Sequence, residues 1–333
     1  MVVQVDDNMI IDGLQAPSPV TVMVDGVEIL RDGKNDWAGR KVRTNLASVA
    51  VGQIDPKVGD RMAVCGDDLV FRGRKLHQAW FCRNRFCPMC QWRKSLKTYA
   101  QMSRVVQFLQ EQGLTRYLFV SLTVRNCEGD KLSSTLDQMM AGWCRLLKTP
   151  EFSKGAIKGY YRNLEVTHNT CPDNSNYDTY HPHFHAIFVV DGSYFMGNRY
   201  CSYERLRELW RKAMDLDYDP QVNIKAVKED SPEQMMRAVC EISKYAIKDA
   251  DYIIPDDWKL TETTLSVLVP ALKGRRLVAY GGVIRKARQV LNLDDVETGD
   301  LVHIDDEKRE LSESEAEIRV TFRSGFNQYI RVG

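Results

Sequence analysis

The sequence predicts an α+β fold around a mainly antiparallel sheet, with helices on one face. From Tyr117 to Lys248, strand-like and helix-like stretches follow in the order β-α-β-β-α-β-α. Two of these strands, about 160–167 and 183–190, flank an Asn/Asp-rich stretch (Asn169, Asp173, Asn174, Asn176, Asp178) that suits a turn-rich loop, hence a hairpin. The second strand opens with His181-Pro182-His183-Phe184-His185, three of the chain's six histidines at strand spacing.

Taken in order, residues 1–55 carry weak signals. Val20–Val24 and Val27–Leu30 flank Asp25-Gly26, a good hairpin turn, and the rest of the region is expected to be mobile. Leu96, Tyr99, Ala100, Val106 and Leu109 suit a helix over Ser95–Gln112, stopped by Gly113. Tyr117–Val124 is a strand with Leu118, Val120, Leu122 and Val124 inward and Ser121 and Thr123 outward. A helix follows at Thr135–Leu147. In the strand Arg162–Thr167, Leu164 and Val166 point inward and Asn163, Glu165 and Thr167 lie on the polar face. Tyr203–Met214 is helical, and Val222–Val227 alternates as a strand. Ser231-Pro232-Glu233-Gln234 is a helix start: Ser231 caps, Pro232 fits the first position and Gln234 completes a capping box. Met235, Val239, Ile242 and Ala246 form an apolar stripe, with Glu241, Tyr245 and Lys248 on an adjacent face.

With 333 residues the chain has room for two domains, or one with a substantial extra module. Its 44% hydrophobic and 27% charged residues are those of a soluble globular protein. No apolar run approaches the ~20 residues of a membrane span. Met1–Pro17 is acidic and polar and lacks the layout of a secretory signal, which points to the cytosol. Nine cysteines, an odd number, argue for thiols and metal ligands over a disulfide framework. Net charge is +1, but Arg61–Arg116 holds eleven Lys/Arg against three Asp/Glu, and the balance reverses over Asp294–Glu317. The basic stretch suits a phosphate footprint; a solvated charged face is the alternative.

Two metal sites follow from the motifs. Alternation puts His181, His183 and His185 on one face, and a hairpin brings Glu165 beside His183. Two imidazoles and a carboxylate with open positions suit Mn²⁺ or Mg²⁺ better than a closed structural zinc. A cross-strand ion pair is the alternative for Glu165, and packed, hydrogen-bonded rings the alternative for the histidines. In the second motif, Cys87-x-x-Cys90 has the spacing of a tetrahedral thiolate site, with Cys82 as third ligand and Cys65 as fourth from a preceding strand. A closed four-cysteine zinc contributes folding energy rather than chemistry. A redox pair is the rival reading, but no βαβ pattern surrounds it. Cys127, Cys144, Cys171, Cys201 and Cys240 read as ordinary reduced thiols.

Tyr245 on a helix is, by itself, a packing residue. Its company is what suggests chemistry: Glu241 one turn away, Lys244 and Lys248 alongside, and a metal site upstream. A phenol with pKa ~10 is a weak nucleophile at neutral pH. Its attack on a phosphodiester needs a metal to polarise the phosphoryl oxygens, and a lysine to stabilise charge. Glu241 is placed to activate water or take a proton.

Three blocks then carry a resemblance: Phe81–Arg93 (FCRNRFCPMCQWR), His181–His185 (HPHFH) and Glu241–Lys248 (EISKYAIK). With Phe119–Val124, Arg162–Thr167, Leu272–Arg276 and Gly281-Gly282, they resemble the Rep_1-type replication initiators of rolling-circle plasmids, in the HUH endonuclease superfamily. The match covers about residues 60–300, and the ordered set is far more specific than the histidine motif alone. The resemblance implies a HUH endonuclease domain with a central antiparallel sheet of ferredoxin/RRM-like character, plus a small Cys zinc module. It divides the chain into an unassigned segment 1–59, a Cys-rich basic module 60–98, a nicking-joining domain 99–255 and a C-terminal region 256–333 with an acidic tail. The implied activity is site- and strand-specific nicking of the plasmid double-strand origin, as a single strand. Tyr245 would form a 5′-phosphotyrosine and leave a 3′-OH primer. His183, His185 and Glu165 match the ligands of the catalytic Mn²⁺ or Mg²⁺, His181 ligates or positions substrate, and Glu241 acts in termination. Lys248 joins the catalytic set, and Arg83, Arg85, Arg93, Lys94, Lys97 and Lys244 the DNA contacts. Host helicase and polymerase are implied partners; the oligomeric state, a dimer included, stays open.

Three other readings remain, the first being another HUH enzyme, a relaxase or a transposase. Relaxases usually place the Tyr before the His motif, and single-Tyr transposases are typically compact and lack the Cys module. A non-catalytic zinc-bearing DNA-binding regulator would not need Glu165, His183, His185, Glu241 and Tyr245 together. A hydrolytic metalloenzyme acting on small substrates would form no covalent adduct with DNA.

Overall fold

The computed structural model describes residues 19–73, 75–153, 156–196, 200–227, 232–244, 247–304 and 317–332. The chain forms two units: residues 1–101 with 294–333, and residues 102–293.

The first unit is larger than a small cysteine module. It holds a six-stranded sheet in the order β1-β2-β11-β10-β3-β4. These strands are β1 (Val20–Val24), β2 (Val27–Arg31), β3 (Asp68–Arg72), β4 (Lys75–Ala79) and, from the C-terminus, β10 (Glu317–Arg323) and β11 (Gln328–Arg331). Asp25 and Gly26, both at positive φ, make the expected tight turn between β1 and β2. The region expected to be mobile is instead helical over Trp37–Ile54, and a second helix, Pro56–Ala63, follows it; the carboxylates of Asp36 and Asp55 cap the two. They pack so closely that a Cβ on Gly59 would lie 2.5 Å from Gly52 Cα. The first helix lacks a clean stripe in sequence because it buries Lys41 and Thr44 while Leu46 and Val49 stay exposed. Trp37 stands edge-on to Trp92 and Phe71 in this unit's core. The helix expected at Ser95 starts earlier, as Pro88–Glu111, with Pro88 at its first turn. It ends at Gly113, whose φ of 76° suits only glycine readily.

The second unit carries an antiparallel sheet in the order β8-β5-β7-β6-β9. Its strands are β5 (Tyr117–Thr123), β6 (Ile157–His168), β7 (Tyr180–Val190), β8 (Val222–Val227) and β9 (Val278–Gly281). On one face Tyr160, Phe184 and Phe188 surround Trp143 of the Gly129–Leu147 helix at 5.3–5.8 Å, and Trp210 of the Tyr203–Met214 helix reaches Phe184. The other face is not open. The Pro232–Ser243 helix lies on it, with Tyr161 donating its hydroxyl hydrogen to Ile242 O at 3.1 Å. Helices therefore cover both faces, not one. The cause is visible in β6, where Tyr161 to Val166 are all buried, inward and outward positions alike. Among the described residues, no helix is long and apolar enough to cross a membrane.

Candidate metal centres and active site

Strand pairing builds the first site. In the β6–β7 hairpin Glu165 stands opposite His183, and on the far side of β7 Ser121 of β5 stands opposite His185. Alternation sends Glu165, His183, His185 and Ser121 to the same face. His183 Nε2 and His185 Nε2 both approach Glu165 Oε2, at 3.6 and 3.5 Å. Donors about 2.1 Å from one ion stand roughly 3.0–3.4 Å apart at octahedral or tetrahedral angles, so the three atoms are close to metal-ligand spacing. Glu165, His183 and His185 are one of two side-chain groups among the described residues that can hold a metal ion.

The opposite ring nitrogens are engaged. His183 Nδ1 lies 3.1 Å from His181 O, which only accepts, so Nδ1 carries the hydrogen and Nε2 offers its lone pair. His185 Nδ1 lies 3.0 Å from Ser121 Oγ, and Phe119 stacks on the ring at 5.6 Å. Burial works against the Glu165 carboxylate, yet the hydrogen bond and charge of His183, His185 and Lys248 outweigh it and hold its pKa at about 2. Burial likewise opposes charge on His183, but Glu165 overcomes it and raises that pKa. His185, buried and beside His183, falls to about 4. A carboxylate that ionises this readily beneath two imidazoles is a donor set for a divalent cation. His181 falls to about 4 through burial and the nearby His183; its ring stacks on His183 at 5.2 Å and stands outside the ligand group.

The Pro232–Ser243 helix brings further groups to this face. Glu241 Oε1 is 3.9 Å from His185 Nε2, and Glu241 Oε2 accepts from Lys244 Nζ. Lys248 Nζ stands 3.7 Å from Glu165 Oε1. The helix end is tied down by Tyr161 and by Asn163, whose Nδ2 donates to Lys244 O at 3.2 Å. Tyr245 and the Ser231 cap lie outside the described residues. Sequence reasoning missed the anchoring roles of Ser121, Tyr161 and Asn163, although it placed Ser121 and Asn163 on the polar strand faces. It also missed Asp251, whose carboxyl burial pushes up to about 7 and whose Oδ2 has no hydrogen-bond partner among the described residues. Arg162 pins β6: its guanidinium lies over Phe184 at 4.6 Å and donates to Arg276 O at 3.0 Å.

The second group is Cys65, Cys82, Cys87 and Cys90, all buried. Their sulfurs lie 3.5–3.6 Å apart in the pairs Cys65–Cys90, Cys82–Cys90 and Cys65–Cys87. That is far beyond the ~2.05 Å of a disulfide. It is near the ~3.8 Å edge of a tetrahedron whose centre is about 2.3 Å from each sulfur. Cys65 sits in the turn after the Pro56–Ala63 helix, not on a strand. Backbone N–H groups of Cys82, Arg83 and Asn84 point at Cys65, Cys90 and Cys82 sulfurs at 3.2–3.4 Å, which favours thiolates.

The basic residues after this cluster are mostly engaged within their own unit. Arg93 donates to Leu301 O and Val302 O. Lys94 meets Glu297 at 2.9 Å, and buried Lys97 meets Asp294 and Asp300 O at 2.5 Å. The acidic stretch thus begins as the counter-charge of the basic one. Arg85 is half-buried, its pKa lowered by burial, while Arg83 is exposed.

The Rep_1 family, described as replication protein, matches residues 73–330. The chain is 36% identical over 327 residues to "Protein rep" of Bacillus amyloliquefaciens, covering 89% of this chain and 94% of that one. It is 33% identical over 315 residues to "Protein rep" of Streptococcus pneumoniae serotype 2, covering 90% and 93%. "Replication protein" of Staphylococcus aureus is 34% identical over 209 residues, covering 62% of this chain and 86% of that one. No solved structure matches. By the extent of these matches, the chain belongs to the Rep_1 family of replication proteins.

Proposed function

We propose that this protein initiates plasmid rolling-circle replication as a HUH-type nicking-closing endonuclease, cutting one strand of the origin through Tyr245. The observation that supports this most is the meeting of His183 Nε2, His185 Nε2 and Glu165 Oε2 on one sheet face, with Glu241 and Lys244 delivered beside them by the helix that precedes Tyr245. A bound Mn²⁺ or Mg²⁺ would supply Lewis-acid polarisation of the phosphoryl oxygens. Glu165, His183 and His185 hold that ion in this reading, and the four-cysteine group holds a structural Zn²⁺.

The Tyr245 oxygen bonds to phosphorus and the bond to the 3′ oxygen breaks. The tyrosine keeps the 5′-phosphate, and the 3′ oxygen takes a proton to become the primer hydroxyl. Lys244 and Lys248 bring positive charge to the reacting phosphate. In termination Glu241 accepts a proton from the water that releases the strand. Origin DNA is the substrate, and host helicase and polymerase act on the opened strand.

The test incubates protein with single-stranded oligonucleotides carrying origin hairpins and Mn²⁺. A covalent adduct at Tyr245, absent with chelator, in Tyr245→Phe and in His183→Ala, is the expected result. Folded protein that binds origin DNA and forms no adduct with any divalent metal would overturn the reading in favour of a non-catalytic DNA-binding regulator.

A further inference from the structure

We propose that a cavity in the unit of residues 1–101 and 294–333 binds one unpaired nucleotide of DNA, its phosphate between Arg61 and Arg83 and its base against Trp80. This rests on the reading that the substrate is DNA. The cavity holds about 190 Å³ and is lined by Arg61, Trp80, Phe81 and Arg83, and by the Asp300–Val302 segment. That is below the ~300 Å³ at which sites for drug-sized ligands begin, and suits one group of a longer chain.

Each wall has a reason to be there. Trp80 follows β4 and is 47% exposed, while its neighbour Phe81 is buried. Arg61, in the last turn of the Pro56–Ala63 helix, is exposed and spends one guanidinium hydrogen on Cys82 O, at 3.4 Å. The Arg83 guanidinium makes no hydrogen bond or ion pair among the described residues. Its backbone sits at φ 59°, a left-handed conformation unfavourable for arginine. Two bonds hold it there: its N–H donates to Cys90 Sγ at 3.2 Å, and its carbonyl accepts from Lys94 at 3.1 Å. The thiolate group therefore sets the direction of Arg83. Asp300 makes no ion pair with Arg61 or Arg83 among the described residues; Val302 N–H donates to its Oδ1 at 2.7 Å and His303 Nδ1 lies 2.6 Å from its Oδ2.

Two guanidinium groups with spare donors match a phosphodiester. An exposed indole beside them offers a stacking platform that any base can use, but only a base free of its duplex neighbours. The charges of Arg93, Lys94 and Lys97 are engaged elsewhere in the unit, whereas Arg61 and Arg83 bring spare guanidinium donors to the same cavity as an exposed indole.

The test measures anisotropy of a labelled origin single strand, and of the blunt duplex of the same sequence, with full-length protein over a salt series. A Tyr245→Phe background prevents reaction, and zinc content reports that the cysteine centre is intact. Trp80→Ala should weaken single-strand binding about tenfold and Trp80→Phe far less, with duplex binding unchanged. The Arg61→Gln/Arg83→Gln pair should reduce the salt slope by about one. The proposal falls if neither change moves single-strand affinity twofold, or if duplex binding falls equally. Should Trp80→Ala lose zinc, the arginine pair decides. Adduct formation by the protein with Tyr245 intact is read separately: adduct with unaltered variant binding overturns the cavity alone, whereas no DNA binding and no adduct overturns the function as well.

Discussion

Replacing Ser121 with alanine removes the hydroxyl that anchors His185 Nδ1 at 3.0 Å and leaves every proposed metal ligand in place. A partly buried hydrogen bond contributes about 1 kcal/mol net, a factor of about five in an equilibrium constant. It also orients the ring, and losing such outer partners typically costs about 10- to 100-fold in metal affinity. The loss should sit at the lower end here. His183 keeps its own anchor, the main-chain carbonyl of His181. Phe119 still stacks on His185, and Glu165 stays ionised below the imidazoles. The expected result is about a tenfold rise in the Kd for Mn²⁺. Isothermal titration of metal-free protein would read it, with thermal melts to show an unchanged fold. Ser121→Thr keeps the hydroxyl and should stay near wild type. The reasoning is refuted if Ser121→Ala binds Mn²⁺ within twofold of wild type while His183→Ala abolishes binding.

Further outcomes follow from the same structure. Cys87→Ser should reduce zinc from one per chain to none and lower the melting temperature; zinc retained at full stoichiometry would exclude Cys87 as a ligand. Lys97→Met removes a buried ammonium but leaves its partner Asp294 partly in water, so the cost should be about 1 kcal/mol in denaturant unfolding. Its salt slope for DNA should not change, and a slope reduced by about one at full stability would return Lys97 to the phosphate contacts. Asp251 has its carboxyl raised to about 7 by burial and the charge of Glu165, against the pull of Lys248. Its folded pKa exceeds the unfolded value of ~3.9, so its stabilising share is full below about pH 4 and is lost as pH rises through 7. Asp251→Asn escapes that loss, and its melting temperature relative to wild type should rise between pH 5 and pH 8. A difference independent of pH would show that Asp251 does not titrate there.

Local periodicity carried the second unit a long way. Val222–Val227 and Tyr203–Met214 match their expected limits, and the loop between β6 and β7 is the expected connection of a hairpin. The Glu165–His183 pairing was legible because one antiparallel register fixes every cross-strand neighbour. What covers that face was not, because alternation tells which residues share a side and not which helix will lie on it.

The sequence by itself determined which chemistry-bearing side chains share a strand face, which cysteines are spaced for one ion, and where Gly113 stops a helix. These are local matters of backbone period, turn geometry and capping. Only the tertiary structure decided the six-stranded sheet, whose β3 and β10 pair Arg72 with Glu317 across 245 residues. It also decided that Lys94 and Lys97 meet Glu297 and Asp294, and that Arg61 and Arg83 share a cavity with Trp80. A charge count reports that lysines and aspartates are present, but pairing depends on distance in space. That distance is set by packing between segments that carry no local signal of one another.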